Sequence, residues 1–388
     1  MLEGQDIVCI APESWDGLWR NRHQIMLRLS ARNRVLFVSG PEPIKHCFQN
    51  LRRACLGKLE KVRDNLYAYC FPDLLLESRF PIIDAFTFEA RFLLLKNVMR
   101  KLAFSNPILW LYHPTMGRLV GRLNERLVCY HIVDEYIAYP VPWPIGNEAF
   151  IRMEQQLIAA ADVVLVSSEE LLRSKGRMGS NIHWVPNAVD FQGFAQSLRG
   201  PQQVPSDLTT LPRPIIGYVG AIKEKLDFDL LALVARTHPE WSLVMIGPVQ
   251  LRTNLAFENL RRLDNVFLLG CKPVESLPLY IKACSACLLP YVINDWTRHI
   301  DPLKLYEYLA VGNPVVSVDI PAVRRFSEVL SIAADKEDFV YQIECALQEH
   351  DSDMRRVRQA IAAENSWDHR VATISDIIRT SLHASDSR

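Results

Sequence analysis

Twelve short apolar runs recur along the chain, each separated from the next by a longer amphipathic or polar stretch, and this alternation restricts the fold more than any other feature. In the first half the runs are Ile7–Ala11, Val35–Ser39, Leu66–Cys70, Ile108–Tyr112, Leu127–His131, Val163–Ser167 and Ile182–Val185. In the second half they are Ile215–Val219, Leu243–Ile246, Val266–Leu269, Ala286–Leu289 and Val315–Val318. Runs this short and this uniformly apolar read as strands buried on both faces, and the stretches between them read as the covering helices. The sequence therefore predicts an α/β protein with parallel sheets. The stretch from Gln196 to Pro214 lacks periodicity and is rich in chain breakers, so it reads as a linker between two α/β halves. Two such halves imply a cleft, with ligands held outside the carboxyl ends of strands.

A chain of 388 residues favours two or three domains. Lys plus Arg and Asp plus Glu are equal at 44 each, which argues against a nucleic-acid binder held by phosphate contacts. Residues 1–205 carry 24 basic against 20 acidic side chains, and the remainder carries 20 against 24, so neither half is strongly charged. The run Phe92-Leu93-Leu94-Leu95 is bracketed by Arg91 and Lys96, far short of the roughly 18 apolar residues of a membrane span. The amino terminus enters a strand pattern without signal-peptide features, and the nine Cys are spread without a framework, so the chain reads as cytoplasmic.

The most informative segment is Asp301-Pro302-Leu303-Lys304-Leu305-Tyr306-Glu307-Tyr308-Leu309-Ala310-Val311-Gly312-Asn313-Pro314-Val315-Val316. It predicts a helix capped by Asp301, with Pro302 in its first position and Gly312 at its end. The amino-terminal amides suit an anion, and Lys304 in the first turn adds a full charge for phosphate. Glu307, three residues on, shares that face and can accept two vicinal hydroxyls. On spacing alone the segment is equally well a capped helix with an i,i+3 salt bridge.

This segment resembles the Pro-x-Lys-Leu-x-Glu-Tyr-Leu-Ala-x-Gly-x-Pro-Val-Val of GT-B glycosyltransferases of the family 4-like group, including those of teichuronic acid and exopolysaccharide synthesis. The resemblance extends to Val185-Pro186-Asn187-Ala188-Val189-Asp190, Ile216-Gly217-Tyr218-Val219-Gly220-Ala221-Ile222, Leu268-Leu269-Gly270, Leu277-Pro278 and Trp367-Asp368. It implies two Rossmann-like domains facing across a cleft, the second holding a nucleotide sugar and the first an acceptor. A terminal helix capped by Ser366 would cross back to the first domain. The implied division is 1–198, a linker at 199–213, a nucleotide-sugar domain at 214–364 and the crossing helix at 365–388.

On this resemblance Glu307 looks like the ribose ligand. Lys304, with the neighbouring amides of Leu303 and Leu305, looks like the phosphate ligand. Gly220 follows a strand where a missing side chain lets backbone approach a ligand, and Lys223 with Lys225 could reach phosphate or acceptor; a tight turn explains the glycine equally well. Many retaining relatives carry a second Glu eight residues before the one matched by Glu307. Here that position is His299, so stereochemistry does not carry over, and Arg298 and His299 are expected near phosphate or sugar instead. Nucleobase recognition is expected in the turn after Gly270, near Cys271 to Pro273.

In the first half, Asp134 and then Glu135 are the candidates for the base that takes a proton from the acceptor hydroxyl, with a solvated helix cap as the alternative. Trp15, Trp19, Arg22 and His23 suit an acceptor sugar with anionic groups, unless the two Trp simply share a helix face. The basic run Arg52–Arg63 and the apolar stretch Phe80–Phe104 suggest peripheral contact with the inner membrane surface; a solvated face and a buried helix are the plainer reading. Cys284 and Cys287 read as core thiols, and Asp227-Phe228-Asp229 as a cap, so no metal or other cofactor is expected. The expected function is transfer of a sugar from a nucleotide diphosphate donor, a uridine one by family, to a glycan or lipid-linked acceptor in cell-envelope polysaccharide synthesis. A sugar-nucleotide epimerase of the same fold and a non-catalytic nucleotide-sugar-binding scaffold are the alternatives.

Overall fold

The computed structural model describes residues 1–40, 57–73, 75, 80–139, 146–179, 181–199, 204–349 and 351–386. They form two compact units, Met1–Pro186 with Arg370–Arg388, and Asn187–His369.

The first unit is built on eight strands: β1 (Asp6–Ala11), β2 (Arg34–Ser39), β3 (Lys58–Arg63), β4 (Leu66–Cys70), β5 (Ile108–Leu111), β6 (Leu127–Ile132), β7 (Val163–Val166) and β8 (Ile182–Trp184). Their order is β3-β4-β2-β1-β5-β6-β7-β8. All neighbours pair in parallel except β3, which lies antiparallel on β4. Chain order reverses between β1 and β5, which makes the carboxyl edge at that point the natural crevice for a ligand. One face of the sheet presents Val8, Leu36, Leu109, Leu111, Tyr130, Ile132, Val164 and Val166, packed under the helices Pro81–Lys101 and Asn147–Ala160.

The second unit carries β9 (Ile215–Val219), β10 (Ser242–Ile246), β11 (Val266–Leu268), β12 (Ala286–Leu289), β13 (Val315–Val318) and β14 (Ser331–Ala333). They are all parallel in the order β11-β10-β9-β12-β13-β14, the doubly wound arrangement, with its reversal between β9 and β12. Strands β9 and β10 pair over five positions, whereas β9 and β12 pair only at Ala286↔Ile216 and Cys287↔Gly217. Beyond that the two strands separate, and the Val219 N–H donates instead to the Tyr308 hydroxyl, at 2.8 Å. A buried amide that loses its ladder partner needs such a replacement, and here a side chain supplies it.

All twelve runs are strands. Two strands have no counterpart in the sequence reading: β14 is three residues long, and β3 falls in the basic run. The described part of that run, 57–63, holds this edge strand, Lys58–Arg63, with its side chains toward solvent; Arg52 to Leu56 lie outside the described residues. Charged side chains on a short edge strand discourage pairing with another chain.

The unit boundary falls at 186/187 rather than 198/199. Asn187 onward is built onto the second unit: its backbone N–H donates to the Asp301 carboxylate at 2.6 Å, and its side-chain amide donates to the Asp301 carbonyl at 2.6 Å. Within the expected linker, Asp207 pairs with Lys272 at 2.6 Å and accepts from the Tyr280 hydroxyl, while Leu208 is buried. Residues 200–203 lie outside the described residues. The terminal helix Trp367–Asp386 contributes Val371, Ile374 and Ile378, all buried, to the first unit.

Candidate functional site

In the second unit the carboxyl ends of three adjacent strands close on three glycines. The Gly220 N–H donates to the Ile246 carbonyl at 2.7 Å, and the Gly247 N–H to the Gly270 carbonyl at 2.8 Å. Gly220 has φ +147° and Gly247 φ +139°, conformations that side chains rarely adopt. A Cβ on Gly247 would overlap the Gly220 carbonyl, and a Cβ on Gly220 would stand 2.6 Å from Lys304 Cε and 2.9 Å from its Nζ. These positions are glycine because backbone and an ammonium already fill the space.

That ammonium comes from the helix Leu303–Val311, whose first turn lies at the gap between β9 and β12. Lys304 is buried, with Nζ 5.0 Å from the Tyr218 ring centre, 5.7 Å from that of Tyr291 and 3.2 Å from the Tyr291 hydroxyl, to which it donates. Lys225 Nζ lies 5.3 Å from the centre of the same Tyr291 ring. Two cations beside one phenol ring hold positive charge where helix amides already concentrate it. Glu307 is half-buried one turn along; burial raises its carboxyl above the ordinary range, and Lys304 opposes that rise. The helix amino terminus, Lys304 and Glu307 are thus one cluster beside bare backbone at Gly220, an arrangement that can hold a polyanion and a diol together.

Other members of the expected set fall elsewhere. Asp301 does not cap the helix: Pro302 occupies the cap position without a side-chain bond. The Asp301 carboxylate is buried and accepts from the Asn187 N–H, the Tyr306 hydroxyl at 2.9 Å and Arg325 at 3.2 Å. It therefore does not compete for the helix amides; it joins two segments of the family-like pattern to each other. Leu305 is in the core and its N–H donates to the Pro302 carbonyl at 3.1 Å, whereas Leu303 is partly exposed. Arg298 is exposed, 3.6 Å from Asp295, and His299 Nδ1 lies 2.7 Å from the Asp295 carbonyl, both on the short turn before Asp301. Lys223 is partly exposed in the loop after Gly220. Asp227 caps the next helix through the Leu230 N–H, and Cys284 and Cys287 are buried. The sequence assigns no role to Tyr291, Tyr308 or Gly247; the signal for the first is Pro290-Tyr291 directly after a strand.

In the first unit the residues expected on the acceptor side form one aromatic cluster. Ring centres of Trp15 lie 5.8 Å from Trp19, 5.3 Å from His23 and 5.1 Å from Phe37. The helix begins only at Asn21, so the two Trp lie in turns and not on a shared helix face. His23 is buried: Nδ1 accepts from the Arg20 N–H at 3.1 Å and Nε2 lies 3.2 Å from the Ser14 carbonyl, which assigns the neutral Nε2–H form. Burial pushes this imidazole down to about 4. Arg22 is buried too, 2.5 Å from Glu13 and 4.9 Å over the Tyr112 ring. Trp19 is the exposed member.

The two candidate acids separate clearly. Asp134 is partly exposed after β6, with one oxygen accepting from the Tyr139 hydroxyl at 2.9 Å and the other from the Glu135 N–H. Glu135 is not available as a base. It is buried at 2.7 Å from Lys175, which also holds Glu154 at 2.7 Å, while the Tyr130 hydroxyl donates to Glu154. Among the described residues, no group of three or more His, Cys, Asp or Glu is placed to hold a metal ion.

Residues 213–349 match the family described as glycosyl transferases group 1. A Bacillus subtilis (strain 168) protein named for teichuronic acid biosynthesis, the glycosyltransferase TuaH, is 28% identical over 225 residues, 55% of this chain and 56% of that protein. The chain thus aligns with little more than half the length of that relative. Among solved structures, sucrose-phosphate synthase from Thermosynechococcus elongatus has a TM-score of 0.73 at 16% identity, covering 98% of this chain and 100% of that one. Anabaena Alr3699/HepE in complex with UDP-glucose has a TM-score of 0.67 at 13% identity, covering 97% and 99%. By these likenesses the chain has the GT-B fold, and its residues 213–349 are similar to the glycosyl transferases group 1 family.

Proposed function

We propose that the protein is a glycosyltransferase that moves a sugar from a nucleoside diphosphate donor, a UDP-sugar, to a glycan or lipid-linked acceptor in cell-envelope polysaccharide synthesis. The observation that carries this reading is the cluster at the β9/β12 gap: Lys304 over the bare Gly220 backbone, at a helix amino terminus, with Glu307 one turn along. The diphosphate lies against Lys304 and the amides of the first turn, and the ribose hydroxyls donate to Glu307. As the bond from the anomeric carbon to the diphosphate oxygen breaks, charge builds on the leaving group, and donors already in place stabilise it without reorganising. Asp134 takes the proton of the attacking acceptor hydroxyl; the Tyr139 hydroxyl fixes one carboxylate oxygen, and the aromatic cluster of Trp15 and Trp19 receives the acceptor sugar. The UDP-glucose bound by the Anabaena protein supports a uridine donor, and TuaH supports an envelope acceptor.

Thermal unfolding with uridine, guanosine, thymidine and adenosine diphosphates tests the donor, because a ligand at 100 times its dissociation constant adds about 2.7 kcal/mol to the folded state. The expected result is a shift with UDP alone. No shift with any of the four would refute the donor site. Asp134→Asn is expected to keep the UDP shift and lose transfer; full transfer by that variant would remove Asp134 from the mechanism.

A further inference from the structure

The helix Pro81–Lys101 follows β4 and returns to β5, so its amino-terminal end stands at the carboxyl edge of the first sheet; the Asp84–Arg118 pair, 2.8 Å, ties it to the turn directly after β5. One side of the helix, with Phe92, Leu95, Val98 and Met99, is buried in the core. The other side leaves Phe80 69%, Ile82 85%, Ile83 51%, Phe86 72% and Leu93 64% exposed. Ile82, Phe86, Glu89, Leu93, Lys96 and Arg100 follow helical spacing along one stripe; its first turn, Ile82 to Phe86, about 6 Å at 1.5 Å per residue, is hydrocarbon, Glu89 is paired to Arg122, and the end of the stripe is cationic. A solvated helix of a monomer does not concentrate four large apolar side chains, Phe80, Ile82, Ile83 and Phe86, at one tip.

We infer that this tip rests on an anionic lipid bilayer. Two features select that occupant. The exposed set is Phe, Ile and Leu, with no group that hydrogen-bonds, so it suits acyl chains rather than the Trp-, Tyr- and Arg-centred patches of protein interfaces. The charge is complementary: among the described residues of the helix and the segment 114–122, Lys96, Arg100, Lys101, Arg118 and Arg122, with Arg91 buried, stand against Asp84 and Glu89, which are paired to Arg118 and Arg122. Lys96, Arg100 and Lys101 are exposed at the basic end, placed for lipid phosphates while their stems lie along the surface. No helix among the described residues is long and apolar enough to cross a membrane, so the contact lies on the bilayer and not through it. Because the tip shares its sheet edge with Asp134 and the Trp15 cluster, the bilayer brings a lipid-linked acceptor to that edge. This last step rests on the transferase reading; the bilayer contact does not.

The test is sedimentation of the full chain with sucrose-loaded vesicles of phosphatidylcholine alone or mixed equally with phosphatidylglycerol. The expected result is pelleting with the mixed vesicles. The pair Ile82→Ser and Phe86→Ser should weaken it about tenfold or more, and the pair Lys96→Glu and Arg100→Glu should abolish the preference for phosphatidylglycerol. Both pairs are exposed, so thermal unfolding and the UDP shift should match the parent. Parent pelleting by the serine variant, or equal pelleting with both vesicle types, would overturn the inference. So would self-association removed by the serine variant with no pelleting, which would give the face to a second copy. An intact UDP shift beside absent pelleting sinks the membrane contact alone; pelleting without any UDP shift sinks the donor reading alone.

Discussion

Replacing Gly220 by Ala separates a ligand effect from a folding effect. The new Cβ would stand 2.6 Å from Lys304 Cε, and ordinary carbon contact is about 3.5–4.0 Å, so the side chain must retreat by about 1 Å. Lysine can do this, since the clash is with the far end of a flexible chain. The backbone cannot relax as easily: a non-glycine residue at φ +147° costs about 1–3 kcal/mol. For a unit of this size that lowers the unfolding midpoint by about 2–4 °C per kcal/mol. The displaced ammonium loses a charge-assisted bond worth about 1.5–3 kcal/mol, so UDP should bind about 10- to 100-fold more weakly. Gly247→Ala is the contrast, because its Cβ meets the Gly220 carbonyl and neither backbone can give way. It should cost more stability than Gly220→Ala. Titration calorimetry with UDP and thermal unfolding of both variants measure the two effects. Binding within twofold of the parent by Gly220→Ala would show that Lys304 does not meet the ligand where the glycine admits it.

Glu307→Gln should stabilise the unliganded protein while weakening UDP. Burial raises the folded-state carboxyl, so the parent loses stability as pH climbs through the ordinary carboxylate range to the raised value. The amide has no such loss. The variant's advantage in midpoint should therefore be present at pH 8 and gone at pH 4; an advantage independent of pH would refute the cause. In the first unit, burial lowers His23 and His113 to about 4 and His131 to about 3. Their unfolded forms take up protons first, so stability should fall from about pH 6.5 downward by roughly 1 kcal/mol per histidine per pH unit. Among the described residues neither ring nitrogen of His131 has a hydrogen-bond partner, and the ring stacks on Tyr112 at 5.0 Å. His131→Phe should therefore keep or raise stability at pH 7 and flatten the acid slope between pH 6.5 and 4; an unchanged slope would remove His131 from the acid response.

Strands were legible because buried parallel strands are apolar on both faces, and no tertiary context changes that. The exceptions were strands that break the rule: Lys58–Arg63 lies at an edge, where its Leu59 and Val62 meet solvent. The site was legible where it depends on local order, as with Lys304 and Glu307 on one helical turn. It was not legible where side chains meet from distant segments. Asp301 looks like a cap in sequence, but the fold brings Asn187, Tyr306 and Arg325 to it, and those bonds take its carboxylate. Glu135 is distinguished from Asp134 only by Lys175, forty residues on. Tyr291 and Tyr308 sit among apolar residues and read as core, which they are; their hydroxyls acquire roles because β9 and β12 part.

The second unit leaves and re-enters the first through neighbouring chain segments. Val189 pairs with Ser366, the Val189 N–H donates to the Asn365 carbonyl at 3.1 Å, and the Trp367 N–H donates to the Val189 carbonyl at 3.0 Å. Topologically this makes residues 187–369 a cassette inserted within the first unit, its end including the first turn of the last helix, with both ends fastened at one place. Domains whose ends meet tolerate excision. The cassette expressed alone should therefore unfold cooperatively and show the same UDP shift as the full chain, a matter for thermal unfolding of residues 187–369.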